Sequence, residues 1–259
     1  MFKYLALLVL SGVIFSARAQ TKTLPAEGKP FVIKGYEMLD YIIGDLNNDK
    51  STDAILILKQ KGEDSLNAEE STRPFIVLLR QANGKLKQVK RNNNVVMCRH
   101  CGGVFGDPYE ATTITGSGFE INFYGGSNWR WGYTYKFTYR PAKNNWYLIK
   151  QEEISYQSSD PEMTTKSVDI DETELGEVSL DNFNSTPPYD NSKWKVKAGK
   201  TFFYDNPKLG SKPRKGYLLK DNEATGIREL KNFVELSFNN GKDQFTSGFV
   251  LKKDVVKIN

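Results

Sequence analysis

Four oxygen-bearing side chains near the start of the chain have the spacing of a cation-binding loop. Asp45, Asn47, Asp49 and Asp53 fall at relative positions one, three, five and nine of a short polar segment. Alternate side chains of such a loop converge on one point, and carboxylate and amide oxygens are the ligands that Ca²⁺ prefers. The twelfth position is Leu56, where an EF-hand requires a bidentate glutamate, so the motif is not an EF-hand. Calcium is therefore the candidate cofactor, and the alternative is a polar turn whose side chains cap the backbone.

This motif and the apolar strand after it resemble the calcium loop of FG-GAP repeats in integrin-type β-propellers. The resemblance covers about residues 36–90 and implies one blade-like unit, because a complete propeller needs several repeats and the chain has no run of them. The sixth position of the loop, usually glycine in these repeats, is Lys50. If this position needs a positive φ, a side chain there costs on the order of 1 kcal/mol, and the lysine also brings a positive charge to the site.

Cys98 and Cys101 are the two cysteines of the chain, and the single histidine, His100, lies between them. A redox pair of the thioredoxin type would need the first cysteine at a helix N-terminus, whereas two glycines follow the second cysteine here. A zinc site needs four ligands, and this segment offers three. A local disulfide in an oxidising compartment is the interpretation that the sequence favours.

Six aromatic residues alternate with other residues over 129–139, which predicts a strand with all six rings on one face. Trp129 and Trp131 follow the paired glycines Gly125 and Gly126, and they are candidates for stacking on a sugar ring or a peptide. The favoured alternative is that the rings form the inner face of a sheet, since large alternating residues usually face a core. Segments with the patterns Cys-Gly-Gly, Gly-Asp-Pro and Gly-Gly-Ser-x-x-Trp-Arg-Trp resemble a group of secreted proteins of Gram-negative bacteria. That resemblance spans about residues 36–150 and implies a family but no reaction.

The C-terminal residues 193–259 contain five short strand-like segments separated by polar turns, which predicts a small closed barrel. Residues 194–257 resemble a bacterial SH3-type barrel, most clearly in the strand that contains Gly-Phe-Val near the end of the chain. The resemblance implies a module that binds peptides or cell-wall polymers and carries no catalytic residues. Tyr204, Tyr217 and Phe233 are the candidate groove residues, and packing in the barrel core is the alternative.

Strands are the elements that must position all these residues, so the sequence predicts an all-β protein. A β-rich domain, either blade-like or a sandwich of meanders, is expected over 20–156, a poorly packed linker or an edge excursion over 157–192 and the SH3-like barrel over 193–259. Residues 1–19 have the positive start, the short apolar run and the small-residue cleavage pattern of a signal peptide. We therefore expect a periplasmic or secreted protein.

The formal net charge of +5 is small and dispersed over 259 residues, which argues against a nucleic-acid partner. No stretch after the leader is apolar for long enough to span a membrane, and a single histidine removes most histidine-based catalytic sites. The favoured prediction is a non-enzymatic envelope protein that binds a peptide or a cell-wall glycan through its SH3-like module. Two alternatives stay open: an inhibitor or immunity protein directed at a secreted toxin, and a glycoside hydrolase that uses two carboxylates.

Overall fold

The computed structural model describes residues 23–65, 72–186, 190–241 and 244–258, so the predicted signal peptide of residues 1–19 lies outside the described residues. Within these ranges the protein is all-β, as predicted, and its two α-helices have four residues each. The strands are β1 (Tyr36–Gly44), β2 (Asp53–Gln60), β3 (Arg73–Arg80), β4 (Leu86–Val96), β5 (Tyr109–Thr115), β6 (Gly118–Gly126), β7 (Trp129–Arg140), β8 (Asn145–Gln157), β9 (Lys166–Asp171), β10 (Lys193–Val196), β11 (Lys200–Phe202), β12 (Tyr217–Leu219), β13 (Glu223–Glu229), β14 (Phe233–Asn239), β15 (Phe245–Leu251) and β16 (Val255–Ile258).

Two antiparallel meanders form the first two sheets and pack against each other. Strands β1 to β4 form one sheet and β5 to β9 form the other, each in chain order. Their facing side chains share one core, in which the rings of Phe75 and Phe119 lie 5.2 Å apart. Trp146 is buried in the same core and donates its indole N–H to the carbonyl of Leu46 at 2.9 Å. The result is a sandwich in which apolar faces are removed from water.

The outer faces of the two sheets differ in what covers them. The first sheet is also buried on its outer face, where Leu24 and Phe31 of the N-terminal segment pack against Leu56 and Ile76. This double burial explains why β2 and β3 are almost continuously apolar. The outer face of the second sheet instead carries half-buried polar side chains, which explains the strict alternation along β7.

The described part of residues 157–192, predicted as a poorly packed linker or an edge excursion, includes elements of the folded body. They carry helix α1 (Pro161–Thr164), strand β9 at the edge of the second sheet, and helix α2 (Glu172–Leu175). Residues 178–185 follow, and we call this segment the strap. Asn92 holds it in place, because its side-chain amide donates to the carbonyls of Leu180 and Phe183 at 2.7 and 2.8 Å. Both of those side chains are buried in the sandwich core. Leu180 and Phe183 anchor this segment. Because they stand among polar residues, the average composition of the segment does not indicate that it is buried.

The C-terminal residues form a five-stranded antiparallel sheet in the order β15-β14-β13-β10-β16, with β11 and β12 as a separate hairpin. A small apolar cluster that includes Ile170 of β9 and Phe233 of β14 joins this unit to the sandwich. Arg228 adds an ionic link, since its guanidinium contacts the carboxylates of Glu153 on β8 and Glu235 on β14. In the described part of the chain no helix has the length and apolar character that crossing a bilayer requires.

Candidate functional site

The acidic loop between β1 and β2 brings three of its four predicted ligands together. Asp45, Asp49 and Asp53 each place a carboxylate oxygen within 4.8 Å of the others. The fourth residue, Asn47, braces the loop, because its side-chain amide donates to the Asp49 carboxylate at 2.9 Å. Lys50 has a φ of 68°, so the sixth position does adopt the left-handed conformation that usually requires glycine. The loop therefore gathers oxygen ligands that could hold a cation.

Backbone N–H groups fix the carboxylates of this loop. Asp45 accepts hydrogen bonds from the N–H groups of Asn48 and Lys50 at 2.7 and 2.8 Å. Asp53 is fully buried and accepts from the N–H groups of Leu46 and Arg80 at 3.0 and 2.8 Å. Burial raises the pKa of the Asp53 carboxyl, and these two backbone hydrogen bonds oppose the rise. The backbone of the loop therefore stabilises the converging carboxylates.

Cys98 and Cys101 form the predicted disulfide, with their Cα atoms 5.1 Å apart. The glycines that follow lie against the β6–β7 turn: the N–H of Gly126 donates to the carbonyl of Gly102 at 2.8 Å. A Cβ on Gly102 would come within 2.5 Å of the carbonyl oxygen of Gly106, so only glycine fits there. The three glycine-containing patterns noted in the sequence are therefore parts of one packed corner.

We expect the native protein to show no reactive thiol, because both cysteines are in the disulfide. Labelling with a maleimide in denaturant, followed by intact mass measurement, should add no label before reduction and two labels after it. One or two labels on the unreduced protein would show that the bond is absent in solution.

A buried ionic cluster fixes the corner formed by the three glycine-containing segments to the first sheet. Arg73 of β3 has no exposed side-chain surface and bonds both oxygens of Asp107 at 2.7 Å. It also bonds Glu63 and donates to the carbonyl of Met97. Although burial opposes the charged form, hydrogen bonds with Asp107 and Glu63 raise the pKa of Arg73. No local sequence pattern predicts this cluster, because its three charged residues come from different segments of the chain.

The aromatic row of β7 faces the core along most of its length. Tyr135 and Phe137 are buried, and Trp131 and Tyr133 are half-buried against the same core. Trp129, at the start of the strand, is 50% exposed. Of the two predicted stacking residues, Trp129 is therefore available at the surface, whereas Trp131 packs beside Tyr133 at a ring separation of 5.3 Å.

A pocket in the C-terminal unit contains two of the three predicted groove residues. Tyr204 and Phe233 lie at its wall with their rings 5.5 Å apart, and Leu209 and Leu251 extend the apolar surface. The cavity measures about 630 Å³, within the ~300–1,000 Å³ typical of small-molecule sites. Tyr217 lies elsewhere, on the β11–β12 hairpin. Phe233 is fully buried, so its role is to support the wall.

Three lysines surround this pocket: Lys231, Lys252 and Lys253. Lys252 is paired with Glu229 at 2.6 Å, whereas Lys231 and Lys253 have no ion pair within the described ranges of the chain. The pocket therefore combines an aromatic and aliphatic wall with unneutralised positive charge. Sequence reasoning missed these lysines, because they lie on two separate turns that only the folded sheet brings together.

No protein-family model, curated protein or solved structure matches the chain in the three comparisons with known proteins. The resemblances to FG-GAP repeats, SH3-type barrels and secreted Gram-negative proteins therefore stay predictions.

Proposed function

We propose that this protein is an exported, non-enzymatic envelope protein whose C-terminal unit binds a cell-wall polymer or a peptide. The observation that carries the proposal is the pocket in which Tyr204 and Phe233 meet beside Lys231 and Lys253. An apolar wall suits aliphatic and sugar carbon atoms, and two free ammonium groups suit carboxylates. Cell-wall stem peptides and acidic peptides both offer this combination of groups. Export itself is a prediction from the leader sequence, and an all-β fold with a disulfide is consistent with it.

Co-sedimentation of the full chain with purified cell-wall sacculi tests this proposal. Reversing both free charges, with Lys231→Glu and Lys253→Glu, should weaken binding about tenfold, since the loss of roughly 1.4 kcal/mol of electrostatic attraction corresponds to that factor. Binding of the native protein should also weaken as salt is raised, because the lysines are near the surface.

A matched control is Lys220→Glu, since this lysine is exposed in the same unit but lies outside the pocket. The control should sediment with sacculi as the native protein does. Equal binding by the double variant and the control would place the ligand elsewhere. Failure of the native protein to bind both sacculi and a panel of acidic peptides would reject the proposal.

We also propose that the acidic loop binds Ca²⁺ through Asp45, Asp49 and Asp53. A ligand that binds only the folded state stabilises it by about 2.7 kcal/mol at 100 times its Kd. For a domain of this size we therefore expect calcium at that concentration to raise the melting temperature by roughly 5–10 °C. Differential scanning calorimetry with calcium and with a chelator measures the shift.

Asp49→Asn should abolish the calcium shift, because Asp49 is exposed and the substitution removes a ligand charge while keeping the side-chain shape. Asp221→Asn is the control: Asp221 lies in the C-terminal unit at a φ of 67°, a conformation that asparagine tolerates. The control should keep the full shift. An unchanged melting temperature of the native protein at millimolar calcium would contradict the proposed metal site.

A further inference from the structure

A second depression lies on the outer face of the β5–β9 sheet, and its lining residues differ from those of the lysine pocket. The strand register places Tyr124 of β6, Gly132 of β7 and Ile154 of β8 side by side across the sheet. Gly132 has no side chain, and the depression above it measures about 330 Å³. This volume is at the lower end of the range for ligand sites and is sufficient for a small ring system.

We call this depression the groove, and one side of it is apolar and aromatic. Ile154 is 41% exposed, which is unusual for an isoleucine in the middle of a strand. Its Cγ2 atom lies 3.0 Å from where a Cβ on Gly132 would be, so the two residues form one continuous floor. The hydroxyls of Tyr124 and Tyr156 are 2.9 Å apart and fix both rings at the end of that floor.

The other side of the groove presents oxygen and nitrogen atoms. Asn122, Thr134 and Glu152 lie on three adjacent strands, with Ser167 and Asp169 on the edge strand β9. The Thr134 hydroxyl donates to the Asn122 amide oxygen at 2.7 Å, which orients that amide. Hydrogen bonds from Lys150 and then Lys136 lower the pKa of the Glu152 carboxyl, so it accepts hydrogen bonds at neutral pH.

We propose that this groove binds one or two hexose rings of a neutral glycan. A pyranose ring has an apolar carbon face, which matches Gly132 and Ile154, and hydroxyls that both donate and accept, which match Asn122 and Glu152. Glu152 is ion-paired with Lys136 and Lys150, and Asp169 lies 3.9 Å from Lys150, so the charges on this side of the groove are largely balanced and favour an uncharged ligand. The site is thus distinct in charge and in place from the lysine pocket of the proposed function.

Glu152 is suited to binding a sugar and not to protonating a glycosidic oxygen. A glycoside hydrolase needs one carboxyl that holds a proton at the working pH, and this requires a raised pKa. The ion pairs of Glu152 with Lys150 and Lys136 shift its pKa in the opposite direction. We therefore expect saturable binding of the glycan without turnover.

Isothermal titration calorimetry of the full chain with cellohexaose, maltohexaose and chitohexaose tests this proposal. At least one of these glycans should bind, and Ile154→Arg should weaken its binding at least tenfold, because the new side chain fills the floor. The matched control is Ile43→Arg, which changes an isoleucine that is 61% exposed on the first sheet and should leave binding unchanged. Circular dichroism confirms that each variant is folded.

Ser167→Tyr is a second blocking variant, since Ser167 is exposed at the rim and its replacement leaves the core untouched. It should also weaken glycan binding, and it provides the test if Ile154→Arg does not fold. The Lys231→Glu, Lys253→Glu double variant should bind the glycan normally, which separates this site from the lysine pocket. Absence of binding to all three glycans, unaltered affinity in folded blocking variants, or release of shorter sugars would overturn the proposal.

Discussion

Replacement of Arg73 with methionine should lower the free energy of unfolding by about 3–5 kcal/mol, because it leaves carboxylates in a buried site without their counter-charge. The guanidinium is fully buried and its two terminal nitrogens bond Glu63 and Asp107 at 2.5 to 2.7 Å. Glu63 is itself buried. Methionine fills much of the same volume but satisfies neither acid, so the penalty comes from the unpaired charges. Urea denaturation followed by tryptophan fluorescence measures the loss.

Arg91→Met is the matched control, since Arg91 lies on the neighbouring strand β4 with an exposed side chain that bonds Asn93. Substitutions at such surface positions usually change stability by less than ~0.5 kcal/mol. Equal losses in the two variants would show that the ionic cluster does not stabilise the fold.

The Arg73 cluster also fixes the position of the glycine-rich corner. Asp107 accepts the Arg73 hydrogen bonds and also accepts one from the N–H of Tyr109 at 3.0 Å, so it fixes the chain where β5 begins. The disulfide constrains only the few residues from Cys98 to Cys101. The Arg73 cluster therefore attaches this corner to the first sheet, in addition to the backbone hydrogen bond between Gly102 and Gly126.

Local sequence patterns were sufficient to predict several strands of this protein, among them β2, β3 and β7. Each rests on a physical rule that acts within a few residues: the unbroken apolar runs in β2 and β3 indicate burial on both faces, and the alternation in β7 indicates burial on one. The carboxylate spacing of the acidic loop is equally local, so the convergence of Asp45, Asp49 and Asp53 was also predictable. Tandem strands joined by short turns then lead directly to meanders.

Features that depend on distant contacts were not predictable from those patterns. Leu180 and Phe183 bury themselves in a core that other segments build, so a window centred on them contains mostly polar residues. The lysine pocket draws on turns at Leu209, Lys231 and Lys252, and the groove at Gly132 on register across four strands. The residues that line the pocket and the groove are far apart in the sequence. Only the folded sheets bring them together, so no pattern within a short window predicts that they are neighbours.

Phe137→Ala should destabilise the protein by about 3–5 kcal/mol, the usual cost of removing a buried phenylalanine and leaving a cavity. The Phe137 ring stacks on Phe119 at 4.9 Å and meets the edge of Phe183 at 5.0 Å, so it contacts β6 and the strap of residues 178–185 at once. Its loss should loosen the strap as well as the core. Hydrogen exchange of the strap amides, measured alongside denaturation, reports that second effect.

Trp129→Ala is the control for this prediction, because Trp129 lies eight positions earlier on the same strand. Trp129 and Phe137 have the same place in the alternation, yet Trp129 is half exposed at the strand's first residue. Its removal should cost less than that of Phe137, because about half of its surface stays in contact with water in the folded protein. If both rings were free stacking platforms, neither substitution would affect folding. If Trp129→Ala proved as costly as Phe137→Ala, the core would extend to the end of the strand and no ring of β7 would be available to a ligand.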